Sequence, residues 1–407
     1  MRPLILLLAF SFSLCAKAQS CYLFIGTYTN TGNLGDNPRL DSTGSKGIYV
    51  YRFDGATGQA TPISHTEGVC NPSYLALGPH DHLYACTESR MHDRGSISAF
   101  HFDRGKGQLT FINKVPSGGD NPAYISVNAS DKWVAVANYT GGSMAVCPTG
   151  PGGELKAFVQ DIQHTGHGVN PARQEKPHVH SVLFSPDEKQ LYVQDLGLDR
   201  ITIEPFDETA PEPVGIGGLP VILSSSITLP PAQTTAVQRP ATMVSTSAGA
   251  GPRHLAFHPN GKVAYVIEEM GGCVDVYRRN TATGSLDSLQ RIASHPDDAK
   301  GPFRSSDIHV SPDGKYLYAS NRAEMTIATF SIDSATGLLK PIGYTPTGGE
   351  EPRNFTLDPS GKWLLVANQE SNSIVVFAVD AATGMLTATG EKITVPKPTC
   401  LKMETMD

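Results

Sequence analysis

Charge is sparse in this chain, and so are cysteine motifs and long apolar runs. Only 17% of its 407 residues are charged and the formal net charge is −7, so no broad basic surface is available for general nucleic-acid binding. A hydrophobic share of 39% excludes an intrinsically disordered chain. The seven cysteines include no C-x-x-C spacing, which leaves structural zinc and thioredoxin-like chemistry unsupported. No Gly-x-Ser-x-Gly elbow and no paired Ser/Lys motif occurs, so a covalent serine mechanism has no footing. No apolar run is long enough to cross a bilayer comfortably. Neither a nucleic-acid partner nor a membrane span is expected.

What the chain does have is turn residues, 40 Gly and 30 Pro, the composition of many short strands. The first 18 residues read as an export signal. Arg2 forms the positive end, Leu4 to Leu14 the apolar stretch, and Ala16-Lys17-Ala18 a small-residue cleavage site before Gln19. The mature chain, residues 19–407, is then periplasmic or extracellular. It keeps Cys21, Cys70, Cys86, Cys147, Cys273 and Cys400, most of them in apolar strand-like runs where cysteine is a small buried hydrophobe.

One template recurs. Asn71-Pro72-Ser73-Tyr74-Leu75-Ala76-Leu77, Asn121-Pro122-Ala123-Tyr124-Ile125-Ser126-Val127, Gly251-Pro252-Arg253-His254-Leu255-Ala256-Phe257 and Glu351-Pro352-Arg353-Asn354-Phe355-Thr356-Leu357 are copies of it. The segments from His178 and from Ser305 keep the alternation without the proline. Most copies run into a turn such as Pro259-Asn260-Gly261-Lys262, a strong hairpin signal. A second, a third and a weaker fourth strand follow. Four antiparallel strands per repeat of about fifty residues make a β-propeller blade. Six first strands lie inside the chain. The N-terminus opens on what resembles a second strand, Tyr22 to Tyr28, and its missing first strand stands at Lys397 to Met403. The expected fold is all-β: a single domain of seven blades, the last closed by strands from both termini, which removes an open sheet edge. Residues 205–250 break the phase and read as a loop-like insertion between blades.

Register predicts a site. The start of a first strand lies beside the end of a second, so residues at both positions share one face of the disc near its axis. First-strand starts supply His178, His180, Arg253, His254, Asp307, Arg353 and Asn354, and second-strand ends supply Glu268, Glu269, Asn321, Arg322 and Gln369. The same register would bring Cys70 to Cys86 as a candidate disulfide. Any single polar strand end is ordinary surface, but the set converges on one concave channel mouth. Arg253, Arg322 and Arg353 suit a carboxylate, a phosphate or an oxyanion. Glu269 and His180 are candidate proton-transfer groups. His178-x-His180 could ligate a metal from a strand, but no third ligand is evident, and neither metal nor cofactor is called for.

With these motifs the chain resembles the lactonase family of seven-bladed propellers, which includes bacterial 6-phosphogluconolactonases and fungal carboxy-muconate lactonising enzymes. The specific pieces are Pro177-His178-Val179-His180-Ser181-Val182, Asp195-Leu196-Gly197-Leu198-Asp199-Arg200, Gly251-Pro252-Arg253-His254, Asp307-Ile308-His309 with Ser320-Asn321-Arg322, and Glu351-Pro352-Arg353-Asn354-Phe355. The resemblance implies a catalytic set of His180 (or His178), Arg253, Glu269 (or Glu268) and Arg322. Around it His178, His254, Glu268, Asp307, Asn321, Arg353, Asn354 and Gln369 would bind substrate. The implied activity is hydrolysis of a sugar-acid lactone, the substrate being 6-phosphogluconolactone or, given the export signal, a sugar or uronic lactone. A cycloisomerase that closes a lactone from an unsaturated dicarboxylate, and a non-catalytic binding disc, are the rival readings.

Overall fold

A computed structural model describes residues 19–30, 43–89, 95–210, 214 and 241–406. The proposed export signal therefore lies outside the described residues, as does most of the expected insertion. Every regular element among the described residues is a strand. They form seven four-stranded sheets, six of them built from four consecutive strands. In the seventh, Pro398–Thr405 pairs with Cys21–Thr27, followed outward by Ile48–Phe53 and Ala60–Thr66. The disc closes as the repeat count requires.

One boundary differs. The long irregular stretch does not separate blades, because Thr242–Ser245 pairs with Arg200–Pro205 as the outermost strand of the same sheet. A connection between two paired outer strands needs only their ends close together, whatever its length, because closure entropy grows slowly with length. It leaves the phase of the next blade untouched.

Alternation of apolar residues on the second and third strands fills the space between blades with fully buried side chains such as Tyr84, Tyr192, Phe100 and Phe377. A recurring contact ties one blade to the next. Hydroxyls of Tyr192, Tyr265 and Tyr318 donate to the carbonyls of Gly284, Gly337 and Gly384 in the following blade, and Trp363 Nε1 donates to Gly55 O. Three of these acceptors end Ala-Thr-Gly turns, so the turn between outer strands also serves as a clamp. A buried hydroxyl without an acceptor would cost about 1–3 kcal/mol.

The start of the inner strand is where the repeat becomes functional. Asn71, Asn121, Gly251, Glu351 and Lys397 each precede a proline and take positive φ, between 41° and 70°. Just after this turn the pairing slips by a residue. Ala123, His180, Arg253 and Arg353 are each skipped in register, Thr399 is skipped in the closing strand, and Ser306 and Asp307 are both skipped in theirs. A β-bulge re-aims the side chain it carries. Six inner strands therefore re-aim one or two residues just after the turn.

Candidate active site

Arg253 and Arg322 meet on one carboxylate. Arg253 Nε lies 2.9 Å and Arg322 Nη2 3.0 Å from Glu269 Oε2. Arg173 Nη2 donates to Glu269 Oε1 at 2.6 Å. Arg253 is 2% exposed, and its Nη1 donates to the carbonyl of Ser306, another bulge residue. Arg322 Nη1 also reaches Glu351 Oε1 at 3.3 Å. Arg353 stacks over the Tyr28 ring at 5.3 Å and faces Glu88 at 3.8 Å, whose Oε2 accepts from Tyr28 Oη at 2.8 Å. Four guanidiniums thus face three carboxylates, a net positive well inside the disc.

Geometry and charge decide what each group can do. Burial alone would raise the Glu269 carboxyl, but Arg322, Arg253 and Arg173 outweigh it and hold the group well below the usual carboxylate range. It stays ionised and is a poor base. Burial pushes the Arg253 guanidinium down to about 10, with Arg322 adding to the effect, and it remains charged near neutrality. Arg253 Nε and Arg322 Nη2 touch Glu269 as ions without a directed hydrogen bond, so two buried donors keep capacity for another acceptor.

His180 is held well below its ordinary value by burial, then by Arg253, His254 and Arg353. It is neutral, and its Nδ1 has no partner in the protein. Its ring stands edge-on to Tyr139 and to His254, both at 5.3 Å. His254 begins a second cluster, one residue along its strand from Arg253. Its Nδ1 lies 2.8 Å from Asp307 Oδ1, and Asp307 Oδ2 accepts from His309 Nε2 at 3.0 Å and from Asn354 Nδ2.

Three expected site residues, Glu268, Asn321 and Gln369, are engaged elsewhere, and a fourth, His178, lies against Tyr139 at the edge of the site. Glu268 is completely buried on the other side of its strand, and burial together with Asp275 raises its carboxyl well above normal. Of the two adjacent glutamates, Glu269 is the one on the arginines, since consecutive strand residues face opposite ways. His178 stacks on Tyr139 at 4.6 Å and meets Glu175 at 3.2 Å. Asn321 is a strand-end clamp, accepting from Ser305 Oγ at 2.8 Å and donating to Ser294 O at 2.6 Å. Gln369 turns to the exposed Glu370 at 2.7 Å. The cysteines also differ from expectation: no disulfide joins Cys70 to Cys86. Cys86 N bonds Tyr74 O and Glu88 N bonds Asn71 O, so Cys70 falls beyond the paired register and meets Asn30 at 3.2 Å.

Arg173, Tyr139 and Glu351 belong to the site although register does not select them. Arg173 sits between two strands, Gln160–Gln163 and Val179–Phe184, in a segment outside the repeat, where phase predicts nothing. Glu351 is open to prediction, because it precedes Pro352 at the head of an inner strand.

Known proteins resemble this chain over most of its length. The family model described as lactonase, 7-bladed β-propeller, matches residues 22–215 and 228–403. A 6-phosphogluconolactonase of Formosa agariphila is 36% identical over 83% of this chain and 86% of its own length. A 6-phosphogluconolactonase of Bacillus subtilis is 31% identical over 93% and 97%. The solved structure of a Pseudomonas aeruginosa periplasmic gluconolactonase superposes with a TM-score of 0.80 at 31% identity, covering 95% of this chain and all of that one. Full-length similarity of this extent, on a propeller whose phase and closure match, makes the chain a member of the lactonase family of seven-bladed β-propellers.

Proposed function

We propose that the chain hydrolyses the lactone of a sugar acid at the Arg253–Glu269–Arg322 mouth. The observation that carries this is the pair of buried guanidinium donors, Arg253 Nε and Arg322 Nη2, that share one carboxylate without a directed bond. Donors fixed in a dry site and still able to accept a partner are what a developing oxyanion needs. The lactone carbonyl oxygen accepts from Arg253 and Arg322, and the charge it gains as water adds stays on those guanidiniums. Glu269 and Arg173 position the pair. Arg353 takes an anionic substituent, where its fork suits a phosphate or carboxylate. His180, neutral beside these cations, is a hydrogen-bonding partner for the departing ring oxygen. The names of the relatives support a gluconolactone or its 6-phosphate as substrate class.

Export to the periplasm is part of the same proposal. It rests on the sequence of the first 18 residues and on the periplasmic setting named for the P. aeruginosa protein. N-terminal sequencing of the mature chain should then begin at Gln19.

The decisive experiment is lactone opening followed by acid release, with δ-gluconolactone and its 6-phosphate. Arg253→Ala should lower kcat/KM by about a hundred- to a thousandfold, the scale seen when a preorganised oxyanion donor is lost. Full activity in that variant would overturn the assignment. A substrate ratio strongly favouring the phosphate, abolished in Arg353→Ala, would assign the anion subsite.

A further inference from the structure

One residue further along the inner strands, a cavity of about 10 Å³, room for about one water, is bounded by Arg253, Arg353, His254 and Ser73. Two polar atoms of these residues, His254 Nε2 and Ser73 Oγ, are buried and have no hydrogen-bond partner in the protein. A buried polar atom left unpaired costs about 1–3 kcal/mol. Two of them belonging to residues that line one polar, water-sized cavity call for an ordered water.

The tautomer of His254 follows from its neighbours. Asp307 is an acceptor-only carboxylate: His309 and His254 hold it well below the usual range although burial opposes them. It already accepts from His309, Asn354 and Phe355 N. His254 Nδ1, 2.8 Å away, must therefore carry a proton, which leaves Nε2 as a pure acceptor. A carboxylate behind an imidazole whose other nitrogen meets a water is the base arrangement of many hydrolases.

We infer that His254, oriented by Asp307, is the base that activates the hydrolytic water, with Ser73 holding that water in place. The inference rests on the lactone reading above. The water donates to His254 Nε2 and accepts from Ser73 Oγ. As its oxygen bonds to the lactone carbon, its proton passes to Nε2 and the carbonyl π pair moves to the oxygen held by Arg253 and Arg322. Collapse breaks the bond to the ring oxygen, which takes the proton back from the imidazolium. The product acid then ionises. Asp307 stabilises the imidazolium without being protonated. Burial and then Arg253 keep His254 down at about 4 before substrate binds. An anionic substrate that offsets Arg253 raises its proton affinity at the moment it is needed.

Three variants and one structure test this. His254→Gln should lose kcat at least about a hundredfold with KM within threefold, the low end of general-base effects. The acid limb of its kcat/KM profile should disappear, whereas a merely structural residue would leave that limb in place. Asp307→Asn, a positioning change, should lower kcat and shift the limb. Ser73→Ala, the mildest change, should fold normally and lose about tenfold in kcat. A high-resolution crystal structure should show a water between Ser73 Oγ and His254 Nε2. Wild-type kcat in His254→Gln, or no water at that position, overturns the inference. If Arg253→Ala is inactive while His254→Gln is not, only the base assignment falls. If both keep wild-type rates, the lactone reading falls with it.

Discussion

Inner strands line both ends of the channel, yet the two ends differ in chemistry. At the strand starts Arg253, Arg322, Arg173 and Glu269 sit in mutual contact. Toward the strand ends Leu183, Phe257 and Val310 join His254, Asp307 and His309 around a cavity of about 260 Å³, where Lys402 lies 4.7 Å over the Tyr74 ring and no arginine enters the lining. Between them Tyr74 and Tyr124 stack at 4.1 Å, with His254 edge-on to both at 5.7 and 5.2 Å. Past the bulge at Arg253 the pairing runs unbroken from His254↔Ile267 to Phe257↔Ala264, so side chains simply alternate. At the starts, the bulge turns Arg253 inward beside His254. The chemistry sits where the register breaks.

The difference predicts unequal responses to acid. His180 and His254 are kept below their ordinary values by burial and by Arg253, so the unfolded chain binds more protons than the folded one below pH 6.5, the ordinary histidine value. Stability is therefore present above that pH and falls as pH drops toward 4. For His254, with a folded value of about 4, the loss is about 3 kcal/mol. Glu269 and Asp307, both depressed, add a further loss below the ordinary carboxylate range, as they approach protonation. Urea unfolding at pH 7.5, 6 and 4.5 measures this, and His254→Gln should flatten the curve by roughly the His254 share. A flat wild-type profile between pH 7 and 5 would mean that these histidines are not held neutral.

Phe257→Ala tests the other mouth. Phe257 packs edge-on to Tyr192 at 5.1 Å, with Arg279 5.9 Å from its ring. Its truncation should cost about 2 kcal/mol, below a full core deletion because the side chain is half-buried. Lactone kcat should stay within twofold. A collapse in kcat without unfolding would show the two ends to be coupled through the Tyr74–Tyr124 layer.

Much of this is legible in the amino-acid sequence. Seven blades and their closure follow from counting one template, because each copy carries its own turn and alternation. Arg253, Glu269 and Arg322 are legible because register is a local property of a hairpin. What register does not resolve is which way a side chain faces at the end of a second strand, which is why Glu268, Asn321 and Gln369 look equivalent to Glu269 and Arg322. His178, which precedes the paired strand Val179–Phe184, meets the site only through Tyr139. Arg173 is illegible because its loop is placed by tertiary contacts, including Gln174 Nε2 to Asp199 at 2.7 Å, that no repeat encodes. The expected bridge between Cys70 and Cys86 assumes that pairing continues through Asn71, where positive φ ends it.

The smallest predicted effect isolates the turn that starts each inner strand. Asn and Gly take left-handed φ readily, but Lys397 at 44° and Glu351 at 58° stand where a longer side chain is strained by about 1 kcal/mol or more. Lys397 has only an exposed ion pair to offset this, its Nζ lying 2.6 Å from Glu370, and such pairs contribute a few tenths of a kcal/mol. Glycine also loses more entropy on folding, so Lys397→Gly should gain only about 0.5 kcal/mol, a rise of about 1 °C in Tm, with unchanged activity. Glu351→Gly relieves the same backbone but releases Arg322 and Arg304, which it holds at 3.3 and 2.6 Å. Activity there should fall about tenfold, the effect of a misaligned rather than a missing donor. Calorimetry and kinetics on the pair separate the two terms. If Glu351→Gly were as active as Lys397→Gly, the strain at residue 351 would serve the turn alone, and the site would end at Arg322.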